Sequence, residues 1–111
     1  TECVNFAEEQ AKKFGVRAPM VGHMGDGNFH VILPFDPKNK ESYKKIRAFN
    51  DTLITKALEL NGTITGEHGV GLHKKEYLLE QHPDSIPVMK SIKRTLDPNN
   101  IMNPGKIFDL N

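Results

Sequence analysis

Four residues in two glycine-rich segments have the types and spacing to do chemistry. His23 and His30 stand near the ends of Gly22-His23-Met24-Gly25-Asp26-Gly27-Asn28-Phe29-His30, and Glu67 and His68 lie within Thr65-Gly66-Glu67-His68-Gly69-Val70-Gly71. Imidazole and carboxylate groups bind borderline divalent metals, and two histidines with one carboxylate leave coordination positions open for a substrate. An Asp-Gly pair between apolar runs is a strong hairpin signal, because both central residues of a type I′ turn need positive φ. With Asp26-Gly27 as that turn, His23 would stand directly opposite His30, the two Cβ atoms about 4.5–5.5 Å apart on one side of the sheet. On one continuous strand the two side chains would point to opposite faces, so shared chemistry favours a chain reversal between them. The same spacing also fits a plain hairpin with two half-exposed histidines.

The second segment follows Thr63-Ile64-Thr65, whose β-branched residues read as a short strand. Its glycines permit a close backbone approach, but no Gly-Lys-Ser/Thr closes it as a phosphate loop, and it is not Gly-x-Gly-x-x-Gly. Glu67 can supply the carboxylate that a two-histidine site lacks. Neighbours leaving a strand point to opposite sides, so His68 is expected away from the ion and free for proton transfer near neutral pH. A capped turn with a surface carboxylate and a surface histidine is the plainer alternative.

Elements of ordinary kinds must position these groups. Cys3, Phe6, Ala7, Gln10, Ala11 and Phe14 mark one face of a short helix that stops at Gly15, and Val16–Val21 and Phe29–Phe35 read as strands flanking the first segment. From Lys38 to Leu60 the apolar residues keep the 3.6-residue period until Asn61-Gly62. Helices are expected over Leu72–Gln81 and Ser85–Leu96, ended by Asp97-Pro98, and Asn99–Asn111 has little periodicity. The order implies an α+β fold: an antiparallel sheet with helices on one face, then a C-terminal helical tail.

The 111 residues make one domain or a piece of one. Lys plus Arg total 15 against 14 Asp plus Glu, a formal charge of +1 that gives no reason to expect nucleic acid as a partner. One cysteine, Cys3, allows no internal disulfide and fits a reducing compartment. No apolar run approaches the roughly 20 residues that span a bilayer. The first residue, Thr1, points to a chain cut from something longer.

Three blocks together resemble the C-terminal domain of the FAD-linked oxidases of the vanillyl-alcohol oxidase superfamily, in the branch of D-lactate dehydrogenase, the glycolate oxidase flavin subunit and D-2-hydroxyglutarate dehydrogenase. They are Gly22–His30, Gly62–Gly71 and Leu96-Asp97-Pro98-Asn99-Asn100-Ile101-Met102-Asn103-Pro104-Gly105-Lys106. The resemblance implies a ferredoxin-like half of a cap domain, residues 1–111 being a substrate-binding fragment whose FAD-binding domain lies elsewhere in the parent. It implies that His23, His30 and Glu67 hold a divalent metal, usually zinc, and that His68 takes the proton from the substrate hydroxyl. Asn28 and Asn103 would lie toward the cofactor. The expected reaction oxidises the 2-hydroxyl of a small D-2-hydroxy acid to a 2-oxo acid, with hydride transfer to FAD and onward transfer to an unspecified electron acceptor. Hydroxyglutarate enzymes carry a substrate-binding asparagine two residues past the second metal histidine; Ile32 stands there, which favours lactate or glycolate. The parent is expected in the cytoplasm, at a membrane periphery or in mitochondria, and the fragment alone is expected to be inactive.

Two readings of other classes stay open on the residues themselves. A metal-dependent hydrolase would use the same three ligands to activate water, without flavin. A non-catalytic ferredoxin-like binding module would carry the histidines incidentally and bind no metal.

Overall fold

The computed structural model describes residues 2–111 and has an α+β fold of four helices and one two-stranded antiparallel sheet. The chain forms two compact units, one ending at Gly62 and the other running from Thr63 to Asn111.

The first unit contains helix α1 (Glu2–Phe14), strand β1 (Met20–His23), a 3₁₀ turn (Met24–Asp26), strand β2 (Asn28–Val31) and helix α2 (Lys40–Glu59). Asn39 starts α2 by accepting hydrogen bonds from the Glu41 and Ser42 amides at 3.1 and 3.0 Å, which satisfies two donors that no helical carbonyl can reach. Ile46, Phe49, Leu53 and Ile54 then bury one stripe of the helix. Ala7, Phe49 and Leu53 form the core, with Phe6, Ala11 and Phe14 of α1 and Met20, Val31 and Leu33 packed against it. Phe14 meets Phe49 edge-on, with ring centroids 6.0 Å apart. Helices thus cover the face of the hairpin that carries Met20 and Val31. Cys3 sits half-buried on α1, and burial pushes its thiol pKa up, which makes it a poor nucleophile.

The strands are shorter than the apolar runs that announced them. Pro19 precedes β1, and beyond Val31 a single further ladder-like bond joins the Ile32 amide to the Pro19 carbonyl at 2.9 Å. Pro34 and Pro37 leave no amide to extend the pairing.

The second unit holds helices α3 (Lys75–Gln81) and α4 (Ile86–Leu96) with irregular chain before, between and after them. The expected strand at Thr63–Thr65 does not form. Its hydrogen bonds go to a side chain instead: Gln81 Oε1 accepts the Ile64 amide and the Thr63 hydroxyl, each at 3.2 Å. Residues with β propensity need a partner strand to become one, and here an amide side chain takes that place.

Candidate metal and substrate site

The hairpin pairs Met20 with Val31, Val21 with His30, Gly22 with Phe29 and His23 with Asn28. His23 therefore faces Asn28 directly, and the expected His23–His30 pairing is corrected by two residues. The type I′ turn was the wrong turn. Met24–Asp26 make a 3₁₀ turn, and Gly27, left-handed at φ 78°, closes it by donating its amide to the Met24 carbonyl at 3.2 Å. The loop thus has four residues, of the kind built on a type I turn.

A shift of two residues preserves the face. His23, Asn28 and His30 share one side of the hairpin with Val21, opposite the side that packs on the helices. His23 and His30 are a diagonal pair, with Cβ atoms about 7–8 Å apart in a regular ladder. Two imidazoles at that spacing can lean toward one ion. Gly22 lets the strands come this close: at φ 140° a Cβ there would meet Phe29 Cα at 3.0 Å and the Asn28 carbonyl oxygen at 3.1 Å. His23 is exposed and His30 is half-buried.

Glu67 and His68 belong to the second unit, in a loop whose ends Thr65 ties together. Its hydroxyl donates to the Gly69 carbonyl at 3.2 Å, so the acid and the imidazole stand on an exposed tip. A carboxylate oxygen of Glu67 and a ring nitrogen of His68 lie within 4.8 Å of each other. The expectation that the two neighbours point apart rested on a strand before them, and that strand is absent. Side by side on a loop, both can approach one cation.

Asn103 is exposed and left-handed, at φ 48°. It follows a turn organised by Asp97, a residue whose role was not read from the sequence. Asp97 is 5% exposed and accepts the Ile101 and Met102 amides at 2.9 Å each, while Lys93 hydrogen-bonds the same carboxylate and reaches the Met102 carbonyl at 2.6 Å. The Lys93 ammonium, helped by the Met102 and Ile101 amides, holds the Asp97 carboxyl below its ordinary pKa against the opposing effect of burial. A lysine four residues ahead of a helix-ending Asp-Pro was the available signal. Beyond it, the Ile107 amide donates to the Gly71 carbonyl at 2.8 Å, and Lys75 pairs with Asp109 at 2.7 Å.

A depression of about 350 Å³ beside the start of α2, lined among others by Arg17, Asn39, Ser42 and Lys45, contains none of the candidate residues. Imidazole and carboxylate are donors that zinc-like divalent cations take, and each of the two units presents such groups.

Residues 1–107 match the family model of FAD linked oxidases, C-terminal domain, and the chain belongs to that family. It is 45% identical over 96 residues to a protein of Danio rerio named "Probable D-lactate dehydrogenase, mitochondrial", covering 86% of this chain and 19% of that one. It is 42% identical over 106 residues to the "Glycolate oxidase subunit GlcD" of Bacillus subtilis, covering 95% of this chain and 23% of the relative. With the "D-2-hydroxyglutarate dehydrogenase" of Stutzerimonas stutzeri it shares 46% identity over 90 residues, 78% of this chain and 19% of the relative. The chain thus spans about a fifth of the length of the curated relatives it matches.

Proposed function

We propose that this chain is the metal- and substrate-binding part of a flavin-dependent D-2-hydroxyacid dehydrogenase acting on D-lactate or glycolate. The observation that carries the reading is the common hairpin face of His23 and His30, turned away from the helix-packed side, in a chain that belongs to the FAD linked oxidases. Family membership favours flavin redox chemistry over hydrolysis by the same ligands and over an inert binding module.

In this reading His23, His30 and Glu67 hold a divalent cation, which supplies charge that orients and acidifies a bound 2-hydroxy acid. FAD, held by the parent's other domain, supplies the hydride acceptor. His68 accepts the proton of the substrate hydroxyl at a ring nitrogen, near enough to Glu67 to act on a group bound beside it. Asn28, on the same face as the histidines, and Asn103, on the folded-back tail, lie toward the cofactor. Ile32 follows His30 on that face, is half exposed, and offers no hydrogen bond to a second carboxylate; this favours a short substrate over hydroxyglutarate. The mitochondrial name of the Danio rerio relative favours that compartment for the parent.

The test is flavin and metal analysis of the full-length protein, with D-lactate, glycolate and D-2-hydroxyglutarate assayed against an artificial electron acceptor. A preparation that holds flavin and oxidises either short acid is the expected result. A protein without flavin, or one acting only on hydroxyglutarate, would overturn the reading or its substrate assignment respectively.

A further inference from the structure

Helix α2 closes on Asn61-Gly62, the one Asn-Gly pair in the sequence. Leu60 ends the helix, the Asn61 amide donates to the Leu58 carbonyl at 3.0 Å, and the Gly62 amide donates to the Ala57 carbonyl at 2.7 Å. With Asn61 left-handed at φ 57°, these two bonds make a Schellman cap that satisfies carbonyls the helix leaves open. The cap accounts for both residue types. After glycine, asparagine is the residue most at ease in the left-handed position. Position 62 favours glycine because a Cβ there would stand 2.9 Å from the Ala57 carbonyl oxygen.

The same two residues are chemically unstable together. In an Asn-Gly sequence the glycine amide nitrogen can attack the side-chain carbonyl carbon of the asparagine, with no side chain of its own in the way. A C–N bond forms, the attacking nitrogen gives its proton to water, and the side-chain nitrogen leaves as ammonia. Water then opens the succinimide ring at either carbonyl, leaving aspartate or its β-linked isomer. No oxidant or reductant takes part. Asn61 and Gly62 are both exposed, so water reaches them. The attacking nitrogen, however, is the donor of the 2.7 Å bond to Ala57. The cap that demands this pair also withholds its nucleophile.

We infer that Asn61 is a deamidation site whose rate is set by the opening of the α2 cap. Reaction waits on a local opening that breaks the Gly62–Ala57 bond, and global unfolding is not required. The product opposes reclosure. It puts a carboxylate at the negative end of a 20-residue helix, and the β-linked form lengthens the backbone where the cap needs a close fit.

The test incubates the full-length protein in mildly alkaline buffer, folded and unfolded by guanidinium chloride. The peptide containing Asn61 is followed by its mass and its isoaspartate content. Asn61 should convert about tenfold or more slowly in the folded protein, the factor that opening one hydrogen-bonded cap imposes. Gly62→Ala keeps the asparagine and spoils the fit to Ala57, so its ratio of unfolded to folded rate should fall toward one. Taking the ratio cancels the slower chemistry that the added methyl brings. Equal rates in the two states of the unaltered protein, a ratio unchanged by Gly62→Ala, or no conversion in the unfolded protein would each overturn the inference. The first comparison needs no variant and decides even where Gly62→Ala fails to fold.

Discussion

Lys93 reaches Asp97 from one turn earlier on α4, and the same ammonium holds the Met102 carbonyl at 2.6 Å. One ion pair thereby ends a helix and folds the chain back. Asp97→Ala should lower the melting temperature of the chain by several degrees, since it leaves the Ile101 and Met102 amides without their acceptor.

The same pair sets a pH dependence. The folded pKa of Asp97 is depressed, so its contribution is whole above the ordinary value of 3.8 and is lost as pH falls from there through the lowered folded value. Thermal unfolding from about pH 5 to about pH 2 should show a steeper loss for the unaltered chain than for Asp97→Asn. Parallel curves would remove Asp97 from the acid response.

Phe49 is fully buried against Phe14, Ala7 and Leu53. Phe49→Ala should destabilise the first unit by roughly 3–5 kcal/mol, the usual cost of deleting a core ring. Urea unfolding of the two chains reads the difference.

The helices were legible because their residues carry the period: Ile46, Phe49, Leu53 and Ile54 can share a face only in an α-helix. The third strand was not, because Thr63-Ile64-Thr65 has the right residues but no strand to pair with. The hairpin was half legible. Asp26-Gly27 announces a reversal without saying which turn makes it, and the choice of turn moved the register. The shared side of His23 and His30 survived because an even shift keeps every side chain on its face, whereas an odd one would have reversed them. For Glu67 and His68 the expected opposite directions rested on a strand that does not form, so their separate roles have no geometric basis in the sequence.

Metal content separates ligand from base. On the proposed function, His23→Ala and Glu67→Ala in the full-length protein should lose the ion, and substrate binding and turnover should fall together. His68→Ala should keep the ion and lose turnover by roughly 10²–10⁴-fold, the range of a positioned base. Elemental analysis of each variant decides. Loss of the ion from His68→Ala would make that imidazole a ligand, as its closeness to Glu67 allows.

On the proposed function the hydride acceptor is held outside these residues, so the isolated chain should bind little or no FAD and show no dehydrogenase activity. Flavin absorbance retained through purification of the 111 residues would contradict this.

The bond from the Ile107 amide to the Gly71 carbonyl fastens the tail to the far end of the loop that presents Glu67 and His68. Because it runs backbone to backbone, most missense changes at Ile107 leave its donor in place, whereas Gly71 is left-handed at φ 55° and strains any side chain put there. Ile107→Pro removes the donor, and a premature stop codon just before Ile107 removes the residue together with Asp109, the partner of Lys75. Such a shortened product would still encode every histidine and glutamate assigned to the chemistry. Its defect would lie in how the loop is held, so a lesion at Ile107 would read out as a fault of the Glu67–His68 loop some forty residues upstream.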